Sequence, residues 1–221
     1  MSERSQTDFP VAAHRRQPMQ DRSLRTVARI LDATSSLLAQ MPLEEITTNH
    51  IAAAAGVSIG ALYRFFPDKQ TILDAVAVRH VGQFRELVEA NVLQPLLGEM
   101  ENLANFDPDA ILNNIIDAYV AYLDAHPDFR AISCGRHISA ATKRREASPR
   151  TGLPLLLKNF MLERLGIPNT PELDRQLSVV SEAGERLIAY AFEQPNRAER
   201  DLILGETKKM LARYLFSPGL D

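Results

Sequence analysis

The segment Thr47–Lys69, TTNHIAAAAGVSIGALYRFFPDK, constrains the fold of this 221-residue chain more than any other. Thr47 is a favourable N-cap for a short helix, because its hydroxyl accepts a hydrogen bond from a free N–H of the first turn. Gly56 supplies the left-handed conformation that ends this helix, Ser58 caps the next helix, and Asp68 caps a third. The pattern predicts a helix-turn-helix, in which a bracing helix precedes a helix that enters the DNA major groove.

The same segment also contains GVSIG at residues 56–60, which satisfies the G-x-S-x-G pattern of serine hydrolases. That nucleophile elbow requires a β-strand immediately before the serine. Residues 52–55 are four alanines, which favour a helix rather than a strand. We therefore expect Ser58 to cap a helix, and we expect no catalytic residue and no enzyme activity.

Residues 22–75 closely resemble the DNA-binding region of the TetR family of one-component bacterial transcriptional regulators. The resemblance is carried by Ile30, Leu31, Ala33, Leu37, Leu38, Thr47, Ile51, Ala52, Ala55, Gly56, Val57, Ser58, Leu62, Tyr63, Phe66 and Lys69. It implies an all-α fold, with an N-terminal three-helix helix-turn-helix domain and a C-terminal helical ligand-binding and dimerisation domain. We accordingly divide the chain into a flexible basic arm (1–20), a DNA-binding domain (21–68) and a ligand-binding and dimerisation domain (69–221).

The resemblance also implies which side chains of the reading helix meet DNA. Ile59 and Ala61 would touch thymine methyl groups, and Gly60 would let the backbone approach closely. Tyr63 would hold a phosphate, whereas Arg64 would reach either a phosphate or a guanine edge. The full predicted DNA-binding set is Arg22, Arg25, Thr47, Thr48, Asn49, Ser58, Ile59, Gly60, Ala61, Tyr63, Arg64 and Lys69.

The bracing helix and the residue after the reading helix complete this predicted surface. Thr47 and Thr48 would meet phosphates, and Asn49 would reach a base. Lys69 lies at a helix N-terminus, where its charge and the free N–H groups together favour a phosphate. For Thr47 and Ser58, helix capping without any DNA contact is the alternative.

The charge distribution agrees with DNA binding although the net charge is −3. Residues 1–30 carry six arginines and three acidic residues, so the positive charge lies beside the helix-turn-helix. Arg22 and Arg25 stand at the start of the first helix, where members of the resembled family touch phosphate or the minor groove. For residues 2–18, a solvated tail is the alternative to a DNA-binding arm.

The amino-acid composition indicates the cellular compartment and which cofactors to expect. The single Cys134 excludes an internal disulfide framework and suits a reducing cytoplasm. The longest uncharged run, residues 46–63, contains Thr, Asn, His, Ser and Gly, so we expect no membrane span. Cys134 and His137 are spaced for a shared metal, but with no second cysteine we expect no metal and no cofactor.

Beyond residue 69 the periodicity predicts helices over about 69–97, from Pro108 to about 125, from Pro127 to about 132, and over 153–165. Asp107 is the expected N-cap of the second of these helices. Residues 143–149 are basic and predict a loop.

Two amphipathic helices follow at about 171–193 and 198–215, and in the resembled family such helices pair with those of a second subunit. A two-fold dimer would suit a palindromic operator in double-stranded DNA; closing the monomer core is the alternative role of these helices.

The resemblance implies a small-molecule cavity among the helices of residues 75–190. Polar residues on apolar helix faces are the candidates for orienting a ligand. They are Asn114, Tyr119, Tyr122, His137, Glu182 and Arg186. We therefore expect a cytoplasmic DNA-binding repressor that a small molecule releases from its operator; the alternative is a helical enzyme or scaffold whose first helices only resemble a reading head.

Overall fold

The computed structural model describes residues 16–95, 108–148, 150 and 152–216, with side chains described from residue 21 onward. All regular structure in these ranges is helical, as the predicted all-α class requires. The α-helices are α1 (Arg16–Leu38), α2 (Thr48–Ala54), α3 (Ile59–Phe65), α4 (Lys69–Val88), α5 (Pro108–Ala125), α6 (Pro127–Cys134), α7 (Ala140–Glu146), α8 (Gly152–Arg164), α9 (Pro171–Phe192) and α10 (Arg197–Phe216). A short 3₁₀ turn covers Leu43–Glu45, and a π-helical stretch, Glu89–Leu93, continues α4.

Several helix boundaries differ from the sequence expectation. Helix α1 begins at Arg16, inside the segment expected to be an arm, and residues 1–15 lie outside the described residues. Asp107, the expected cap of α5, also lies outside them. The loop predicted over residues 143–149 is wrong at its start, because residues 143–146 are the last part of α7. Ser139 caps that helix by accepting a hydrogen bond from the Thr142 N–H.

The helix caps of the reading head, which comprises α1 to α3 and the first turns of α4, follow the sequence. Thr47 Oγ1 accepts from the His50 N–H at 3.2 Å, and Ser58 Oγ accepts from the Ala61 N–H at 3.1 Å. Asp68 Oδ1 accepts from the Thr71 N–H at 2.7 Å. Gly56 has a φ of +62°, the left-handed conformation that lets the chain turn between α2 and α3. All four predicted roles are confirmed.

The core of the reading head joins all of its helices. Each helix contributes one fully buried side chain, and these are Ile30 from α1, Ile51 from α2, Leu62 from α3 and Ile72 from α4. Ile46, in the loop before α2, is almost completely buried beside them. Burying an aliphatic side chain of this size contributes roughly 1.5–3 kcal/mol. Because Ile72 belongs to this core, the start of α4 is a structural part of the reading head.

The later helices form a second core around α4. Helices α9 and α10 pack against each other along their lengths, and α10 also packs on α5. Phe84, Val88, Ile111, Leu123 and Ile132 are among the buried side chains that fill this part of the molecule. No helix in the described ranges has the length and apolar character to cross a membrane.

A buried polar network joins α1, α4, α5 and α6. His80 lies 2.8 Å from Asp128 through Nε2 and 2.9 Å from the Tyr122 hydroxyl through Nδ1, and its ring stacks on Phe129. Burial alone would raise the pKa of Asp128, but hydrogen bonds from His80 and Ser35 lower it to about 2. Asp128 is therefore an anion at neutral pH, and it holds α6 against α1 and α4.

Lys69 has an unexpected position at the start of α4. Its ammonium group donates to the carbonyl oxygens of Leu43 at 3.1 Å and Ile46 at 2.9 Å. These carbonyls belong to the turn between α1 and α2, and the side chain is half-buried there. Lys69 thus fixes the turn that leads into α2.

We predict that Lys69→Met, which keeps the aliphatic stem and removes the donor, lowers the free energy of unfolding by about 1–3 kcal/mol. The loss would come from two carbonyl groups that lose a charged hydrogen-bond donor. Urea unfolding followed by circular dichroism measures it. Lys209→Met, at an exposed lysine paired with Glu206, is the control and should change stability by less than about 1 kcal/mol. Equal stability of both variants and the wild type would contradict the bracing role of Lys69.

Candidate nucleic-acid interface and ligand cavity

Helix α3 presents one face to solvent and buries the other. Leu62 is fully buried, whereas Ile59, Gly60, Tyr63 and Arg64 are exposed and the Tyr63 side chain keeps 49% of its accessible surface. The exposed face contains the predicted groove-facing residues, with Ala61 half-buried at its edge.

Tyr63 connects the two helices of the motif. Its hydroxyl lies 3.0 Å from Thr48 Oγ1, so the exposed end of α3 is tied to the start of α2. Thr47 and Asn49 flank this contact and are exposed. The bond sets the direction of the Tyr63 ring and leaves its hydroxyl at the surface, where a further acceptor can approach.

Exposed arginines lie on the first and third helices of the reading head. Arg22 and Arg25 are exposed on α1, and the Arg64 guanidinium lies 4.8 Å from the centre of the Phe65 ring. Exposed guanidinium groups on these two helices suit the phosphates of a nucleic-acid backbone. Lys69 is less available to a phosphate than these arginines, because its ammonium group donates hydrogen bonds to the carbonyl oxygens of Leu43 and Ile46.

The GVSIG segment has no elbow geometry. Helix α2 and a turn precede Ser58, and the Ser58 hydroxyl caps α3. A serine nucleophile would need a strand on its N-terminal side and a free hydroxyl. The segment is therefore part of the helix-turn-helix.

A cavity of about 180 Å³ lies among α4–α10 in the second core. Its walls are mostly aliphatic and aromatic, with a few hydroxyl and charged groups. The lining residues are Ala77, Val81, Phe84, Leu112, Ile115, Ile116, Tyr119, Phe129, Ser133, Ile138, Thr142, Lys143, Glu146, Ala147, Leu153, Pro154, Leu157, Leu177, Val180, Ser181, Gly184, Glu185, Ile188 and Leu211. An apolar pocket with a few converging polar groups is the usual form of a small-molecule site.

Four polar side chains of the cavity are paired with one another. The Tyr119 hydroxyl lies 3.2 Å from Ser133 Oγ, and Lys143 Nζ donates to Glu185 at 2.6 Å. Burial raises the pKa of the Tyr119 phenol well above its ordinary value, so it stays protonated in any ordinary buffer. The cavity thus offers neutral hydroxyl groups and a compensated ion pair.

Of the six predicted ligand residues, the structure brings only Tyr119 to this cavity. Asn114 borders a separate depression beside the π-helical stretch, and Tyr122 belongs to the His80 network. The other three lie outside the cavity lining. His137 faces Glu44 at 3.9 Å, Arg186 pairs with Glu193 at 3.0 Å, and Glu182 is exposed.

Sequence reasoning missed Ser133, Thr142, Lys143 and Glu185. The sequence predicts a loop at Lys143, and Ser133 lies on a short helix whose inner face the sequence does not distinguish. Glu185 stands only three residues from the predicted Glu182, on the neighbouring face of α9. The packing of α6, α7 and α9 against one another determines which side chains line the cavity. The hydrophobic period of a single helix does not predict that packing.

Cys134 is a half-buried free thiol. In the described ranges, no group of three or more His, Cys, Asp or Glu side chains is placed to hold a metal ion. Burial raises the pKa of the Cys134 thiol to about 11, so the thiol is protonated and weakly nucleophilic at neutral pH.

Asp74 connects the cavity wall to the reading head. From the second turn of α4 its carboxylate accepts from the Ser139 N–H at 2.9 Å, the Ser139 hydroxyl at 2.5 Å and the Thr142 hydroxyl at 3.0 Å. Gln70 donates to Asp74 at 2.9 Å and to the His137 carbonyl at 2.7 Å. Thr142 lines the cavity, so one carboxylate joins the ligand-facing helix α7 to the helix that completes the reading head.

Burial alone would raise the pKa of Asp74, but hydrogen bonds from Ser139, Gln70 and Thr142 outweigh it and lower the pKa. The carboxylate is therefore ionised at neutral pH and accepts charge-assisted hydrogen bonds.

The paired helices α9 and α10 leave large apolar side chains exposed. These are Val179, Tyr190, Leu202, Met210 and Tyr214, and Leu202 keeps 66% of its surface accessible. Scattered apolar residues are normal on a protein surface, and these five are candidates for a contact surface.

Comparison with known proteins agrees with this arrangement. The family model described as bacterial regulatory proteins of the tetR family matches residues 30–76. A second model, described as a tetracyclin repressor-like C-terminal domain, matches residues 107–215. Together the two matches span most of the chain and both of its parts. The comparison with curated protein sequences found no match.

Solved structures share the whole architecture. A TetR-family transcriptional regulator from Streptomyces coelicolor is 26% identical, with 86% of this chain and 97% of that chain covered and a TM-score of 0.61. RolR in complex with resorcinol is 16% identical, with 90% and 96% covered and a TM-score of 0.62. The repressor AlkX from Dietzia sp. strain DQ12-45-1b is 17% identical, with 86% and 94% covered and a TM-score of 0.57.

The exposed α3 face, the caps that shape the turn before it and the cavity behind α4 fit the matches to both family models. The chain belongs to the TetR family and is a ligand-responsive DNA-binding transcriptional regulator.

Proposed function

We propose that this protein is a repressor that binds a palindromic operator as a homodimer and leaves it when a small molecule occupies the cavity. The observation that carries the proposal is the exposed α3 face, with Tyr63 and Arg64 beside the unhindered backbone of Gly60. An α-helix that presents such a face fits the width of the major groove.

The structure supports an assignment of contacts within the proposed interface. Ile59, Gly60 and Ala61 lie at the start of α3 and would meet base edges and thymine methyl groups. Tyr63 and Arg64 would bind phosphate or a guanine edge. The sequence places Arg22 and Arg25 at the start of the first helix, but α1 begins at Arg16, so they lie within it. The remaining proposed contacts come from α1 and from the starts of α2 and α3, and these are Arg22, Arg25, Thr47, Thr48, Asn49 and Ser58. Lys69 would act indirectly, by holding the turn before α2.

We propose that the homodimer forms through α9 and α10. Five exposed apolar residues on these helices support the proposal, because covering them stabilises an interface at roughly 25 cal/mol per Å². A two-fold axis through this surface would repeat the interface on each subunit and present two reading heads to two half-sites.

The response to a ligand would pass through Asp74. A molecule in the cavity would press on Thr142 and the rest of α7, and α7 is hydrogen-bonded to the start of α4. Because Ile72 is buried in the core of the reading head, a shift of α4 would move that head as a unit. The distance between the two heads of a dimer would change, and with it the affinity for a fixed half-site spacing.

We predict that Gly60→Ala weakens operator binding by roughly 5- to 100-fold while the protein remains folded. An added Cβ meets nothing within 4 Å in the free protein, so only close DNA would be disturbed. Gel shifts with DNA that flanks the protein's own gene measure the affinity at several salt concentrations. Gly82→Ala on α4, where an added Cβ also finds open space, is the control and should leave affinity unchanged. Equal affinity in both variants would contradict the proposed docking of α3.

We predict that Leu202→Glu weakens dimerisation by at least about tenfold, because a charge would be buried at the proposed interface. Sedimentation velocity over a concentration series measures the dimer fraction, and operator binding should weaken together with it. Leu24→Glu places the same change at another exposed leucine, on α1, and should leave the dimer intact. A stable dimer of the Leu202 variant would place the interface elsewhere.

We predict that Asp74→Ala reduces the effect of a cavity ligand on operator affinity by about fivefold or more. The variant keeps the cavity but loses the hydrogen bonds between α4 and α7. Operator affinity is measured with and without a ligand found by thermal-shift screening. Asp117→Ala, which removes a surface ion pair with Lys208 between α5 and α10, is the control. If Asp74→Ala responds to the ligand as the wild type does, the response follows another route.

A further inference from the structure

We propose that the cavity binds a small neutral molecule with one aromatic ring and one hydroxyl group, that is, a simple phenol. The inference rests on the proposed function, because it names the chemical class of the effector. It follows from four properties of the cavity: its volume, the aromatic side chains in its walls, the pair of hydroxyl groups that line it and the pairing of its charged side chains.

The size of the cavity suits a ligand with one ring. Its volume is about 180 Å³. An engineered apolar cavity of about 150 Å³ in another protein holds a benzene molecule. The present cavity therefore accommodates a benzene ring with one or two small substituents.

The walls favour an aromatic ring. Phe84, Tyr119 and Phe129 all line the cavity, and the Tyr119 ring lies 5.0 Å from Phe84 and 6.3 Å from Phe129. Offset or edge-to-face contacts between rings add about 0.5–1.5 kcal/mol to the burial of apolar area. A flat ligand placed beside these three residues extends an existing aromatic cluster.

One pair of hydroxyl groups is available to a ligand hydroxyl. Tyr119 and Ser133 both line the cavity, and the 3.2 Å between their oxygens is long for an O–H···O hydrogen bond. Each hydroxyl has one donor and two acceptor sites, so a single mutual bond leaves capacity on both. A phenolic O–H can donate to one of these oxygens and accept from the other.

The charges of the cavity disfavour an ionic ligand. Among the described lining residues Lys143 is the one cationic side chain, and Glu185 already accepts its hydrogen bond at 2.6 Å. Glu146 is paired with Arg145 at 3.1 Å. A carboxylate or ammonium ligand would have to break such a pair or enter an apolar space without a counter-ion, and either event is costly.

The test titrates the full-length protein with four single-ring probes: phenol, toluene, benzoate and benzylamine. Isothermal calorimetry gives the affinities, and thermal shift gives an independent check because a bound ligand stabilises the folded state. We expect phenol to bind about 3- to 10-fold more tightly than toluene, which has the same shape but lacks the hydroxyl. Benzoate and benzylamine should produce no detectable heat or thermal shift.

Two variants locate the hydroxyl contact. The double variant Tyr119→Phe with Ser133→Ala should bind toluene as the wild type does and should lose the preference for phenol. Tyr122→Phe removes a hydroxyl one turn further along α5, where it bonds to His80 outside the cavity lining. This control should keep the preference for phenol even if its stability falls.

Binding of benzoate or benzylamine as tight as that of phenol would overturn the proposal. Equal affinities for phenol and toluene in the wild type, or a preference for phenol that survives in the double variant, would also overturn it. Operator binding of the ligand-free protein is measured in parallel. Specific DNA binding without any phenol binding refutes this inference alone, whereas absence of specific DNA binding refutes the proposed function whatever the cavity binds.

Discussion

The hydrogen bonds that Asp74 accepts unite the two parts of this molecule. The start of α4 completes the core of the reading head through Ile72, and its later turns form one wall of the cavity through Ala77, Val81 and Phe84. The shared helix α4 would transmit little of a ligand-induced displacement to the reading head if α7, on another wall of the cavity, were free to move. Asp74 removes that freedom, because it fastens α7 to α4 where α4 enters the reading head.

A second set of polar contacts holds the same helix from another side. Arg79 on α4 reaches Asp32 at 2.5 Å and Ser35 at 3.0 Å on α1, next to the His80–Asp128 pair. Since α1 and α4 are bound together in this way, a displacement of α4 would carry α1 with it. This coupling of α1 to α4 suits recognition through a fixed half-site spacing.

The reading head could be predicted from the sequence because its determinants are local. Thr47, Gly56, Ser58 and Asp68 each act within three or four residues of their own position, so their spacing alone defines the turn. The exposed side of α3 follows once Leu62 is recognised as its buried side. Lys69 is the exception, since its partners lie 23 and 26 residues earlier in the chain and no periodicity relates them.

The cavity could be predicted only as a region because its chemistry is tertiary. Tyr119 was identified as a polar residue on an apolar helix face, but its partner Ser133 lies on a separate short helix. The Lys143–Glu185 pair joins residues 42 positions apart, one of which had been assigned to a loop. Which polar groups face a cavity depends on the rotation of each helix against its neighbours, and helical period alone leaves that rotation undetermined.

The strength of the Asp74 contacts constrains how a ligand signal can travel. A hydrogen bond to a charged group is worth about 1.5–3 kcal/mol, and Asp74 accepts four, although its partial exposure reduces their total. Coupling between two sites in regulatory proteins is typically about 1–3 kcal/mol. Three of these bonds, from Ser139 and Thr142, join α4 to α7, and a one-ring ligand supplies too little differential binding energy to break all three and still produce a useful response. We therefore expect α7 and the start of α4 to stay bonded in both states, so that the ligand displaces them together rather than separating them.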